Sequence, residues 1–161
     1  MNTLSWKKGL FSCVYSISQA GRFMGKLIEN RWSQSAAGEI NNKRLFFRVI
    51  HRLVPSANIM DRDTSQVIGR IKFSAWWSKA SIYMGDKKYT WKFTNLLATK
   101  WKITDQDGNV VHYKGHVGKG EILGQVEDNV LLLAGLFIGN YFWKMTQIYI
   151  LAIVILLTHV I

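Results

Sequence analysis

The stretch "DNVLLLAGLFIGNYFWK", residues 128–144, decides the fold. It leaves an acidic residue, stays almost wholly apolar, and stops at Lys144. Thr146 and Gln147 follow. Residues 148–157, "IYILAIVILL", are then apolar without a break. As one helix, 130–161 would be roughly 48 Å long at 1.5 Å per residue. A bilayer core asks for about 20 apolar residues, so neither half suffices alone and both together overshoot. Three arrangements follow: one long span with Lys144 near its middle, a helical hairpin turning near Lys144, or a division of roles. In the last, 129–143 fills a β-structure and 146–161 meets lipid, with Lys144, Thr146 and Gln147 at the wet boundary. Trp143 and Tyr149 suit that boundary, because their rings are apolar and their tips polar. The hairpin is disfavoured, since "FWKMTQ" lacks the Gly or Pro of a tight turn.

Upstream, the hydropathy has period two. In "KKYTWKF" Tyr89, Trp91 and Phe93 share one face, and Lys88, Thr90 and Lys92 the other. In "TKWKIT" Trp101 and Ile103 alternate with Lys100 and Lys102, and in "IGRIKF" Ile71 and Phe73 oppose Arg70 and Lys72. Such alternation marks half-buried strands. "MGDKK" (84–88) and "DQDGN" (105–109) carry the Gly and Asp-Gly signals of hairpin turns. "FMGKLIENRW" (23–32) and "RLFFRVIHRL" (44–53) read as further strands, and "SQSAAGEINN" (33–42) as a loop or weak helical turn. About eight to ten strands are expected before residue 128. "MGKLIENRW" and "IGRIKFSAWW" echo one another: glycine, base, aliphatic residue, then tryptophan. A barrel of that size has an interior to fill, and a helix with small residues at Ala134, Gly135 and Gly139 fits inside it.

The chain of 161 residues holds 21 Lys plus Arg against 10 Asp plus Glu, a formal charge of +11. This surface suits an anionic partner: phospholipid headgroups, nucleic acid or an acidic protein. The outer lysines and arginine of neighbouring strands, Arg70, Lys72, Lys88, Lys92, Lys100, Lys102 and Lys114, are the candidate anion-binding residues. Single-strand binders present aromatics on the basic face for base stacking. Here the aromatics lie opposite the lysines, which argues against nucleic acid. Joined to an apolar tail, the basic domain favours an anionic leaflet, where each nearby Lys or Arg contributes about 1 kcal/mol. The same charge bias puts the basic domain on the cytoplasmic side. A protein partner stays open.

Other patterns carry less. "DQDGN" departs from a calcium loop, with glycine at its fourth position and histidine at the twelfth. His112 and His116 have no third ligand nearby in sequence. Cys13, the only cysteine, allows no internal disulfide and no thiolate zinc site, and reads as a small core residue. "GHVGKGE" (115–121) lacks P-loop spacing and reads as a flexible loop. The N-terminal run is broken by serines, so no cleaved signal is expected. No cofactor, metal or catalytic constellation is called for, and a non-enzymatic protein is expected.

The basic barrel, the D-x-D-G hairpin turn and the "D-x-x-LLLA" helix start together resemble the tubby C-terminal-like superfamily. That superfamily includes LURP-one-related proteins and phospholipid scramblases. The resemblance rests on Gly25-Lys26-Leu27, Gly69-Arg70-Ile71, Asp105-Gln106-Asp107-Gly108-Asn109, and Asp128 with Leu131, Leu132, Leu133 and Ala134. It covers about residues 14–143. It implies a closed antiparallel barrel around one hydrophobic helix, whose plug residues would be Leu131, Leu132, Leu133, Ala134, Leu136, Phe137 and Ile138. The chain before the helix is short for that superfamily's twelve strands, so a missing strand or two is expected. The carboxylate-rich segment and cysteine cluster of scramblases are lacking, so calcium control and acylation do not carry over.

The expected fold is therefore mainly β with a C-terminal helix. An antiparallel barrel of about 8–12 strands surrounds a central hydrophobic helix, and an apolar C-terminal extension follows. The barrel with its plug helix (about 129–143) takes residues 1–144, and 145–161 is the membrane-contacting extension. The expected role is membrane-associated: binding anionic phospholipid or tethering a partner. The alternative is a small integral membrane protein whose tail 130–161 spans, with a basic β-domain for nucleic acid or an acidic protein.

Overall fold

The computed structural model describes residues 2–50, 53–74, 78–116, 118–124 and 128–159. Its strands are β1 (Asn2–Lys8), β2 (Val14–Gln19), β3 (Arg22–Glu29), β4 (Ala36–Ile40), β5 (Lys43–Ile50) and β6 (Ser56–Asp61). They continue as β7 (Val67–Phe73), β8 (Lys79–Met84), β9 (Lys87–Phe93), β10 (Lys100–Thr104), β11 (Val110–His116) and β12 (Lys119–Gly124). Among the described residues one helix, α1 (Asn129–His159), follows the strands. Each strand pairs antiparallel with the next, and β12 pairs with β1, so the sheet closes into a twelve-strand barrel. Closure leaves no strand edge unpaired.

The alternation read from sequence is the barrel's inside-outside pattern. Trp91, Trp101, Ile71, Ile82 and Ile103 are buried, and Lys72, Thr90, Lys92 and Lys100 between them are exposed. The interior is filled by α1, whose residues Val130 to Phe142 are all buried. Leu131, Leu132, Leu133, Ala134, Leu136, Phe137 and Ile138 thus belong to the barrel core. Asp128 caps the helix, its Oδ1 accepting from the Val130 amide at 2.8 Å, which satisfies one of the otherwise free first-turn donors.

Strand side chains fix the helix by both packing and hydrogen bonds. Phe137 stacks on Phe47 with ring centroids 4.6 Å apart, and Tyr141 on Phe73 at 4.0 Å. The indoles of Trp91 and Trp101 both donate to the Gly135 carbonyl, at 3.1 and 3.0 Å. The Tyr113 hydroxyl donates to the Leu131 carbonyl at 3.1 Å, and a Cβ on Gly135 would collide with the Tyr113 ring. These three buried donors therefore find acceptors on the helix backbone, as a dry interior requires. Burial pushes the Tyr113 phenol far above its ordinary range, with Asp128 adding to the effect.

The structure corrects several readings. The barrel has twelve strands, the top of the expected range, so the expected loss of a strand or two is not seen. Residues 36–40, inside the expected loop 33–42, form β4. Cys13 lies in the β1–β2 connection, half-buried, and its Sγ accepts from Arg31 Nε at 2.9 Å; it is not a core residue. "GHVGKGE" is mostly strand: β11 runs to His116 and β12 starts at Lys119, with Val117 outside the described residues. Gly115 and Gly120 face each other there because the Trp6 ring lies across both, leaving no room for a Cβ.

The echo between 24–32 and 68–77 has a structural cause. The register of β2 on β3 slips opposite Met24, and that of β6 on β7 opposite Ile68. In each case a glycine follows the bulged residue. A Cβ on Gly25 would strike the β4 backbone, and one on Gly69 would stand 2.9 Å from the Tyr83 carbonyl oxygen. Bulges bend and coil a strand, and these two help close the sheet. Residues 75–77 of the second echo lie outside the described residues.

Candidate functional site: the barrel mouth

The antiparallel order gives the barrel two unlike ends. The helix starts at the base, where Asn41 Nδ2 donates to Asn129 Oδ1 at 3.1 Å. It leaves through the mouth, where Trp143 Nε1 donates to the Ala98 carbonyl at 2.9 Å. The β1–β2, β3–β4, β5–β6, β7–β8, β9–β10 and β11–β12 connections lie at the mouth. From Thr146 on the helix is exposed, and the large residues among 148–157 are 44–65% accessible. These positions are consecutive, so every face of the protruding helix presents exposed, largely apolar side chains. A helix apolar all round belongs in a core or in lipid, whereas one lying on a surface has a polar face. By length and composition, α1 is apolar enough to cross a membrane, but 130–142 has strands on every side.

Polar side chains lock the helix where it exits. Glu29, buried at the end of β3, receives Lys8 Nζ at 3.2 Å and Lys144 Nζ at 3.0 Å. Beside it, the Tyr15 hydroxyl donates to Asn140 Oδ1 at 2.7 Å. Burial, and then the Glu29 carboxylate, pushes the Tyr15 phenol well above its ordinary range. Lys144, expected at a wet boundary, thus ties helix to barrel through a shared carboxylate. Because the lysines retain some exposure, the loss on removing Glu29 is smaller than for a fully buried pair. Glu29→Ala should lower stability by about 2 kcal/mol, read as a fall in melting temperature of about 4–8 °C.

The seven basic residues expected to bind anions fall into three groups. Arg70, Lys72 and Lys88 lie around Tyr83, with Lys72 Nζ 5.3 Å and Lys88 Nζ 5.8 Å from its ring centre. Lys92 stands in one rung between Lys79 and Lys102, and His112 continues that rung on β11. Like charges directly opposite one another weaken a sheet, so an anion over this rung would relieve a strain the fold tolerates. Lys100 and Lys114 are cross-strand partners nearer the mouth. They border a hollow of about 490 Å³ that Ser5, Lys7, His116, Lys119 and Glu121 also line. Four lysines there face one carboxylate.

Sequence reading missed Lys7, Lys119 and His116 at this hollow. They come from β1, β12 and the end of β11, which only closure of the barrel brings together. His112 and His116 share the outer face of β11, exposed, and no group of three candidate metal ligands occurs among the described residues.

Charge is sorted between the ends. Among the described carboxylates, Glu39, Asp61, Asp63, Asp86, Asp105, Asp107 and Asp128 lie at or near the base. There they meet bases such as Arg44, which pairs with Asp63, and Lys43, which pairs with Asp61. Among the described residues the mouth half has only Glu29, paired with two lysines, and Glu121. Comparison with family models, with curated proteins and with solved structures finds no match to this chain.

Proposed function

We propose that the protein is a non-enzymatic, membrane-associated barrel that docks on an anionic bilayer, with its tail in lipid and its mouth-side lysines on phosphate headgroups. The observation that carries this reading is the protruding half of α1, largely apolar on every face and exposed from Ile148 to Leu157. Ten residues rise about 15 Å, the depth of one leaflet of a hydrocarbon core about 30 Å thick. The lysine-lined hollow beside the same exit supplies the electrostatic half of the attraction. Membership in the tubby-like superfamily is part of the proposal, as is a cytoplasmic barrel, favoured by the bias of basic residues toward that face.

Binding to vesicles of stated composition tests it. The full chain should sediment with vesicles containing anionic phosphatidylserine and less well with phosphatidylcholine alone. At about 1 kcal/mol for each lysine near the surface, the double change Lys100→Gln with Lys114→Gln should weaken binding to the anionic vesicles about 30-fold. Binding to phosphatidylcholine should stay unchanged. Equal binding to both vesicle types, with no effect of salt, would remove the headgroup contact from the proposal.

A further inference from the structure

We infer that the loops around the mouth are themselves membrane-inserting. Leu10 and Phe11, Trp32, Leu53, and Leu96 with Leu97 enter the headgroup–acyl boundary around the tail, and hold the barrel upright on the bilayer. This rests on the lipid reading above and adds to it a defined surface and orientation. Leu10 and Trp32 are each 95% exposed, and Leu53 and Leu96 are as open as in an extended peptide. They occupy four different connections: β1–β2, β3–β4, β5–β6 and β9–β10. The exposed apolar residues therefore stand on four of the six mouth connections that surround the helix.

The base offers a contrast. Its turns, including Ala20-Gly21, Asn41-Asn42, Gly85-Asp86 and 105–109, are small or polar, and the large exposed apolar residues near it, Phe23 and Val67, lie on strands. A concentration of exposed large apolar residues on one end marks an interaction face. Its occupant must accept a ring of apolar tips and, at the ring's centre, a helix apolar on all sides. A bilayer accepts both at once. A protein partner would need a deep apolar socket inside a flat apolar rim.

Charge agrees with lipid. Lys7, Arg31, Lys79, Lys100, Lys114 and Lys119 stand at or just behind the apolar tips, where headgroup phosphates would lie, and most described carboxylates are at the far end. Between the β1–β2 loop, the β3–β4 loop and the emerging helix runs a groove of about 670 Å³, lined by Leu10, Phe11, Trp32, Arg31, Ile148 and Leu151 among others. It joins loop tips and tail into one surface whose apolar part lies beside the Lys8–Glu29–Lys144 lock and Arg31.

Environment-sensitive fluorophores on single cysteines test this in the full chain, with Cys13→Ser as background. The sites are Trp32→Cys, Leu53→Cys and Leu97→Cys on the rim, Ile155→Cys on the tail and Asp107→Cys on the base. All are surface positions, so labelling leaves the core intact. On phosphatidylserine-containing vesicles the three rim probes should shift to the blue and be quenched by shallow lipid-borne nitroxides. The tail probe should be quenched by deep ones, and the base probe by neither. A quenched tail probe with rim probes left in water overturns the ring and leaves the lipid reading standing. Quenching of one side of the rim only also overturns it, since the barrel would then lean. If no probe is quenched, both readings fall. A rim blue shift that follows protein concentration without vesicles marks a second copy as the occupant and overturns the inference.

Discussion

Replacing Leu133 by aspartate should abolish the folded barrel. Leu133 has no exposed surface, and its Cδ1 stands 2.9 Å from where a Cβ on Gly38 would lie. A carboxylate there loses its water and finds no cationic partner, a cost of several kcal/mol even after relaxation. Total stabilities of natural domains are about 5–15 kcal/mol. The loss of the helix's other packing with a displaced plug then completes the collapse. Circular dichroism and tryptophan fluorescence should show no cooperative melt for Leu133→Asp. Leu133→Ala should fold and lose about 2–5 kcal/mol. A Leu133→Asp protein that melts like the parent would mean that the helix does not fill the barrel.

The second large effect separates the two halves of the same helix. Val154 lies in the protruding segment and is 49% exposed. An aspartate near the centre of an inserted helix costs about 2.5–3.5 kcal/mol, so Val154→Asp should weaken vesicle binding about 100-fold. Its melting temperature in solution should stay at the parent value, because residue 154 is exposed and lies beyond Phe142, the last buried position of the helix. If Val154→Asp instead lowered the melting temperature and left vesicle binding intact, the tail would be a structural element and not a lipid anchor.

How much was legible follows from where the physical signal lies. Strands β7, β9 and β10 alternate large apolar residues with lysines, and period two is plain in them. The plug could be read from the leucine run after Asp128, because a barrel this wide needs filling. β4 escaped because its inward residues, Ala36, Gly38 and Ile40, are mostly small. They are small because Leu133 presses on Gly38, so the strand's core signal is carried by the helix across from it. The glycines at 115 and 120 looked like a flexible loop for the same reason, since Trp6 supplies the bulk they lack.

The candidate site was partly legible. Alternation put Lys100, Lys102 and Lys114 on the outer wall, where they are. It could not group them with Lys7 and Lys119, whose proximity depends on the β1–β12 pairing that closes the barrel. Nor could it separate Arg70, Lys72 and Lys88, gathered around Tyr83, from the residues at the mouth. The apolar loop tips were hidden in another way. In a sequence, Leu96 and Leu97 look like core, and only a fold that places them beyond the strand ends shows that they face outward.

One helix in two environments is best tested by nuclear magnetic resonance of the full chain in lipid nanodiscs carrying a nitroxide on their acyl chains. Amide signals of 148–157 should broaden strongly, and those of 130–142, shielded by twelve strands, should keep their intensity. Equal broadening across 130–157 would place the leucine-rich segment in lipid, and the barrel would have to be filled by something else.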